Sequence, residues 1–266
     1  MGKQEVNLER GRAVLEAVGV TFGYGKRPVL REVSVVCRAG EVVALVGPNG
    51  SGKSTLLRVL LGQLSGGGVV RWEGREVGKW GVKALAKRVA FLPQHPLWTP
   101  GQTVRDAIAM GRYPHLGVLG FESARDETVV RDAAMALGLE AETEREVETL
   151  SGGQRQRVFL ARCLAQEPVA LLLDEPDTFL DLKHAAAMAG TLRRLSRERN
   201  MMVLMACHNL HLAAAVAERV VLMDDGRVVA EGPPRAVITP ENVGKVYGVK
   251  AVPWEAGGSW GVGVVY

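Results

Sequence analysis

Glu41-Val42-Val43-Ala44-Leu45-Val46-Gly47-Pro48-Asn49-Gly50-Ser51-Gly52-Lys53-Ser54-Thr55 opens as an apolar run rich in valine, breaks into glycines and ends on Lys-Ser-Thr. After its first residue the run has no polar alternation, so residues 41–46 read as a strand buried on both faces. From Lys53 the apolar positions Leu56, Leu57, Val59, Leu60 and Leu61 fall among good helix formers, which predicts a helix over 53–64. The residues between satisfy G-x-x-x-x-G-K-[ST] in the strand-to-helix context that this motif requires. Glycines let backbone N–H groups close around phosphates, and the helix N-terminus adds positive potential. Lys53 then reaches the outer phosphates and the Ser54 hydroxyl ligates Mg2+. Gly47, Pro48, Asn49, Gly50, Ser51, Gly52, Lys53, Ser54 and Thr55 are therefore candidate nucleotide contacts.

Upstream, residues 14–21 and 29–36 are β-branched and apolar enough for short strands of an edge sheet. Downstream, 69–72 and 89–92 give two more strands. After Pro93 the texture changes to Pro, Gly and aromatic residues, then to helical stretches from 104 to 164, which predicts a helical insertion into a sheet protein. Strands return at 170–173 and 202–206, separated by an Ala- and Arg-rich helix over 182–199. A last strand pair, 219–223 and 227–230, flanks the Asp224-Asp225-Gly226 turn. The strand 170–173 runs into Asp174 and Glu175, as a Walker B strand does. Asp174 is placed to hold magnesium, and Glu175 to accept a proton from an attacking water.

Composition narrows the function classes. With 266 residues and 47% hydrophobic content the chain can bury a large core, so disorder is not expected. The 33 Lys and Arg against 29 Asp and Glu leave +4, a balance that does not by itself point to nucleic acid. Cys37, Cys163 and Cys207 are scattered and lack metal or disulfide spacing, which fits a reducing compartment. Apolar runs such as 42–46 and 201–207 fall far short of the roughly 18 residues that span a bilayer. The opening residues MGKQEVNLERGR lack a secretory apolar stretch, and Val6 departs from the lipidation pattern. The absence of an internal repeat argues against two fused copies of the nucleotide-binding unit.

Leu150-Ser151-Gly152-Gly153-Gln154 reproduces the LSGGQ signature. Together with 47–54 and 170–175 it makes the chain resemble the ABC-type ATPases from about residue 14 to about 249. The resemblance implies an α/β P-loop NTPase core with an antiparallel β edge subdomain and an inserted helical subdomain at about 95–165. It gives a single nucleotide-binding domain over 12–252 and a short C-terminal tail over 253–266. It also implies a head-to-tail homodimer in which Ser151, Gly152, Gly153 and Gln154 face the ATP held by the partner's Lys53. Tyr24 resembles the aromatic that stacks on adenine, with Phe22 nearby and a core role for either ring open. Gln94 matches the glutamine that touches magnesium and senses the membrane subunit. Leu180-Asp181 resembles the D-loop, and His208 the histidine that contacts the γ-phosphate. Asp177, Phe179 and Asn209 depart from the family pattern, and altered kinetics are expected from them.

Gly111-Arg112-Tyr113-Pro114-His115 resembles the GR-x-PH element of ATPases serving importers of iron-siderophores, haem and cobalamin, as do 181–184, 207–213, 232–234 and 247–249. The resemblance implies an ATP-hydrolysing, Mg2+-dependent subunit, peripheral on the cytoplasmic face of the membrane. Its partners would be a separate integral permease and, indirectly, an extracytoplasmic binding protein, with no nucleic acid. An exporter subunit and a soluble non-transport ATPase are the alternatives. A coiled-coil insertion or a second cassette would mark the DNA-repair and translation versions, and neither is in this sequence.

Overall fold

The structure is a computed structural model that describes residues 9–117, 120–178, 180–256 and 259–265. β1 (Ala13–Tyr24) and β2 (Arg27–Arg38) pair antiparallel, from Ala13 against Arg38 to Tyr24 against Arg27. Both run longer than the sequence predicts, because register shifts along β1 absorb its interruptions without ending the ladder. The chain then forms β3 (Val42–Val46) and α1 (Lys53–Leu60), and returns as β4 (Gly67–Trp72) and β5 (Arg75–Glu76). The antiparallel sheet has the order β2-β1-β4-β5. Helix α1 stops four residues before the predicted end. Gly62, at φ 70°, donates its N–H to the Val59 carbonyl at 2.9 Å and closes the last turn.

Next come α2 (Val82–Ala86) and β6 (Val89–Leu92), followed by α3 (Val104–Ala109), α4 (Ala124–Ala136) and α5 (Gly152–Ala165). The chain re-enters the sheet as β7 (Ala170–Asp174), α6 (Leu182–Arg199), β8 (Met202–Ala206), α7 (Leu210–Val216), β9 (Arg219–Asp224) and β10 (Arg227–Gly232). The second sheet has the order β10-β9-β3-β8-β7-β6, parallel except for the β9–β10 hairpin. Its central strand explains the apolar run of the sequence. All five β3 side chains are buried, with Val42, Ala44 and Val46 in one core and Val43 and Leu45 in the other. The first core holds α3 to α7; the second packs α1 between the two sheets.

The helical stretch is anchored by a buried cation. Arg112, 2% exposed, donates to Asp126 Oδ1 at 2.8 Å, the Ala165 carbonyl at 2.7 Å and Glu167 Oε2 at 2.8 Å. Burial acts to raise the Asp126 pKa, but bonds from the Ser123 hydroxyl and N–H and from Arg112 overcome it and hold the carboxyl at about 2. The GR-x-PH arginine is thus a structural staple joining α4 to the end of α5.

After β10 come α8 (Pro234–Val237), α9 (Pro240–Tyr247), β11 (Lys250–Ala256) and β12 (Ser259–Val265). The boundary expected after residue 252 falls within β11. Residues 250–256 pair with 259–265 in a hairpin whose Val262 is buried in the first core, with Trp260 packed against it. The Gly-rich pattern hid this: Gly261 has no side chain because the Trp254 ring lies 2.9 Å from where a Cβ would stand. Among the described residues no helix is long and apolar enough to cross a membrane.

Arg112→Met strands Asp126 and two further acceptors, so it should cost about 3–5 kcal/mol, the range for breaking a buried ion pair. Urea unfolding of both proteins checks this. The wild type should lose stability as pH falls from about 4 toward 2, where Asp126 protonates, whereas the variant, which keeps the Ser123 bonds but loses those from Arg112, should show a smaller step.

Candidate active site

β3 ends in the middle of the sheet, and the loop that follows is shaped by contacts only glycine permits. Gly47 has φ 151°, and a Cβ there would lie 2.1 Å from the Met223 carbonyl of β9. Gly52, at φ 101°, starts α1 beneath Leu30 and Val29 of β2. The Asp225-Gly226 turn, with positive φ at both residues as a type I′ hairpin needs, braces the loop. Its Gly226 N–H donates to the Ser51 carbonyl at 3.2 Å, and its Gly226 carbonyl accepts from Arg31 N–H at 2.8 Å.

Lys53 is only 4% exposed and donates to the Gly47 and Pro48 carbonyls at 2.8 and 3.0 Å. Burial pulls its pKa below the usual lysine value, opposed by Glu175, Cys207 and Asp174. Ser54 Oγ donates to Asp174 Oδ1 at 2.8 Å, joining α1 to the end of β7. Burial raises the Asp174 pKa against the Ser54 bond, and Glu175 adds to the rise. Two oxygen donors thus meet at the loop.

Glu175 sits in the left-handed region at φ 50°, a conformation that costs a non-glycine residue about 1–2 kcal/mol. Its N–H is held by the Ala206 carbonyl of β8 at 2.8 Å. Its carboxylate accepts from Gln94 Nε2 at 2.6 Å and from His208 Nε2. Gln94 therefore meets the carboxylate directly. Asp177 lies close by: burial raises its pKa, with His208 opposing and Glu175 reinforcing the rise. Asn209 caps α7 by accepting the Leu212 N–H at 3.0 Å, which accounts for a polar residue after His208. Phe179 lies outside the described residues.

Asn49, Gly50, Gly52, Lys53, Ser54 and Thr55 line one cavity of about 490 Å3 with Gln94, Glu175 and His208, while Gly47, Pro48, Ser51 and Asp174 are not among its lining residues; Tyr24 also borders it, with half of its surface exposed. Phe22 meets Tyr24 edge to face at 4.9 Å. Two lining residues had escaped the sequence reading, Arg27 and Val29. Arg27 pairs across the hairpin with Tyr24, so a turn signal at 25–26 could have revealed it. Tyr247 was also missed as a neighbour of the loop: burial and Cys207 push its pKa up to about 12, while the Gly47 backbone acts the other way.

The signature residues are not among those lining this cavity. Ser151 caps α5 by accepting the Gln154 N–H at 3.3 Å, and Gln154 Oε1 accepts the Ser151 N–H at 3.0 Å. Asp181 caps α6 through the His184 N–H at 2.8 Å, and that bond, with a second from the His184 ring, lowers its pKa. Leu180 and His184 flank Gly153.

A glycine loop between a central parallel strand and a helix, with a strand-end carboxylate pair beside it, defines a P-loop nucleotide hydrolase. The ABC transporter family profile matches residues 30–178, and the chain belongs to that family of ATPases. It is 39% identical over 238 residues to the probable siderophore transport system ATP-binding protein YusV of Bacillus subtilis, covering 89% of this chain and 86% of the relative. It is 43% identical over 242 residues to the hemin import ATP-binding protein HmuV of Rhodococcus jostii, covering 90% and 81%. Among solved structures, a transporter assigned to the metal-chelate type, in an inward-facing conformation, superposes with TM-score 0.84 at 26% identity, covering 96% and 98%. A dimeric ATP-binding cassette bound to ADP and Pi, MJ0796, gives 0.74 at 26% identity, covering 83% and 99%.

Gly47→Ala should displace the loop from β9, because neither the φ nor the space admits a Cβ. Expected are a lower Tm and nucleotide binding at least tenfold weaker; a fluorescent-nucleotide titration beside thermal unfolding measures both.

Proposed function

We propose that this chain is the ATP-hydrolysing subunit of an importer for an iron-siderophore, haem or cobalamin, working as a homodimer on a separate membrane permease. The observation that carries the reading is the convergence of Lys53, the Ser54–Asp174 pair and the Gln94–Glu175–His208 cluster on one cavity. The import class rests on the relatives, whose names give siderophore and hemin, and on the GR-x-PH element.

In this reading the loop amides and Lys53 hold the phosphates of ATP, with Tyr24 against the base. The Ser54 hydroxyl and Asp174 carboxylate are hard oxygen donors 2.8 Å apart, and a cation between them would offset the burial that raises the Asp174 pKa. Among the described residues no three His, Cys, Asp or Glu side chains cluster as a metal cage. Mg2+ needs no such cage, since it is bound through one or two carboxylates and fills much of its shell with phosphates and water. Ser54, Asp174 and Gln94 would hold it, and it would neutralise charge on the outer phosphates. Glu175, oriented by Gln94 and His208, takes the proton of the attacking water, and His208 meets the γ-phosphate. Ser151 to Gln154, outside the chain's own cavity, act on the partner's ATP. Asp181 bonds His184, which flanks Gly153. The permease docks beside Gln94 and the helices 104–165, so closure of the dimer moves it. The extracytoplasmic binding protein acts through that permease. The subunit itself lies on the cytoplasmic face, and nucleic acid has no place in this scheme.

Glu175→Gln should retain ATP binding, lose about 10²- to 10⁴-fold in hydrolysis, and trap an ATP-loaded dimer. Lys53→Ala should lose nucleotide binding. Tagged Glu175→Gln purified with ATP from detergent-solubilised cells should bring down a polytopic membrane protein in near-equal amount by mass spectrometry. Ribosomes, nucleic acid or homodimer alone would overturn the importer reading and leave the ATPase standing.

A further inference from the structure

Gln166 caps the end of the helix that begins at the signature, and both its side-chain Nε2 and its own carbonyl bond outside that helix. Its side-chain Nε2 donates to the Val89 carbonyl at 2.8 Å and to the Ala86 carbonyl. Those carbonyls belong to the start of β6 and the end of α2. Its own carbonyl accepts from His115 Nε2 at 2.9 Å, and its N–H donates back to the Cys163 carbonyl at 3.3 Å. One residue earlier, the Ala165 carbonyl accepts from Arg112 at 2.7 Å. Arg112 and His115 therefore satisfy two carbonyls at the end of α5, where the Arg112 cation also suits the helix dipole. Because burial pulls the His115 pKa down against the Gln166 bond, its ring is a neutral donor near pH 7.

The elements joined here have separate duties. α5 carries Ser151 and Gly153 at its far end, while β6 leads through Pro93 to Gln94, which bonds Glu175. We infer that Gln166, with His115 and Arg112, is a positioning device that fixes the direction of the signature helix relative to the Gln94 strand, and so aims the signature at the ATP of a partner subunit. The inference rests on the dimer proposed above. Gln166 touches neither the phosphate loop nor the cavity. Its loss should spare the chain's own nucleotide affinity and weaken only what the signature does in trans.

The test compares ATP-dependent dimerisation, by analytical ultracentrifugation, with affinity for a fluorescent ATP analogue, in Glu175→Gln alone and combined with Gln166→Leu. Gln166→Lys, which keeps an N–H donor on a long stem, serves as the rescue. The expected result is dimerisation at least tenfold weaker with Gln166→Leu, unchanged nucleotide affinity, and recovery with Gln166→Lys. Equal dimerisation in both backgrounds, or a parallel loss of nucleotide affinity, would overturn the inference. If Gln166→Leu does not fold, His115→Leu strips only the cap on the Gln166 carbonyl and is read by the same two outcomes. Failure of Glu175→Gln itself to dimerise would instead count against the dimer, which keeps the two claims separable.

Discussion

A strand with no exposed side chain has to end somewhere, and where β3 ends decides the rest of this molecule. Val42–Val46 is hydrogen-bonded to β8 on one side and β9 on the other, so both neighbours fix its direction and its stopping point. At that point the chain must reverse into α1 while passing under the Met223 carbonyl, and only a residue without Cβ fits. Backbone amides consequently converge where β7 and β8 also end, which brings the carboxylates of Asp174 and Glu175 and the ring of His208 to the same place. Ligands of open α/β sheets bind at the carboxyl ends of strands for this reason.

Charge at the site is balanced by burial as much as by pairing. Lys53 and Asp174 are both pushed toward their neutral forms, and each is held by a neighbour of the opposite kind. Such a site favours a ligand that brings both signs of charge with it. The strained backbone at Glu175 belongs to the same economy. Its left-handed φ turns the chain out of β7, and the N–H bond to Ala206 together with the Gln94 and His208 contacts holds the turn.

Much of this was legible in the sequence, because the phosphate loop, the β7 strand and the signature are short motifs whose chemistry constrains their geometry. The helix over 182–199 and the turn at 225–226 were placed by local pattern alone. What escaped is of a different kind. Arg27 reaches the cavity only through its cross-strand pairing with Tyr24, and the residue 250–265 hairpin depends on Val262 finding a core built from residues far away in sequence. The GR-x-PH element was visible as a motif, but its work lies in the acceptors it meets: Ala165, Gln166, Glu167 and Asp126. No window of sequence contains those partners together.

The Asp225-Gly226 turn ties the Ser51 carbonyl of the loop to the Arg31 amide of β2, so a hairpin of one sheet clasps the other sheet across the nucleotide site. Local opening of the antiparallel sheet then cannot proceed past Arg31 without loosening the phosphate loop. Binding therefore acts on both at once. Nucleotide at about a hundred times its dissociation constant adds about 2.7 kcal/mol to the closed state. That protection reaches amides of β2 that no phosphate touches, so substrate concentration becomes a determinant of how often the N-terminal sheet is exposed to proteolysis.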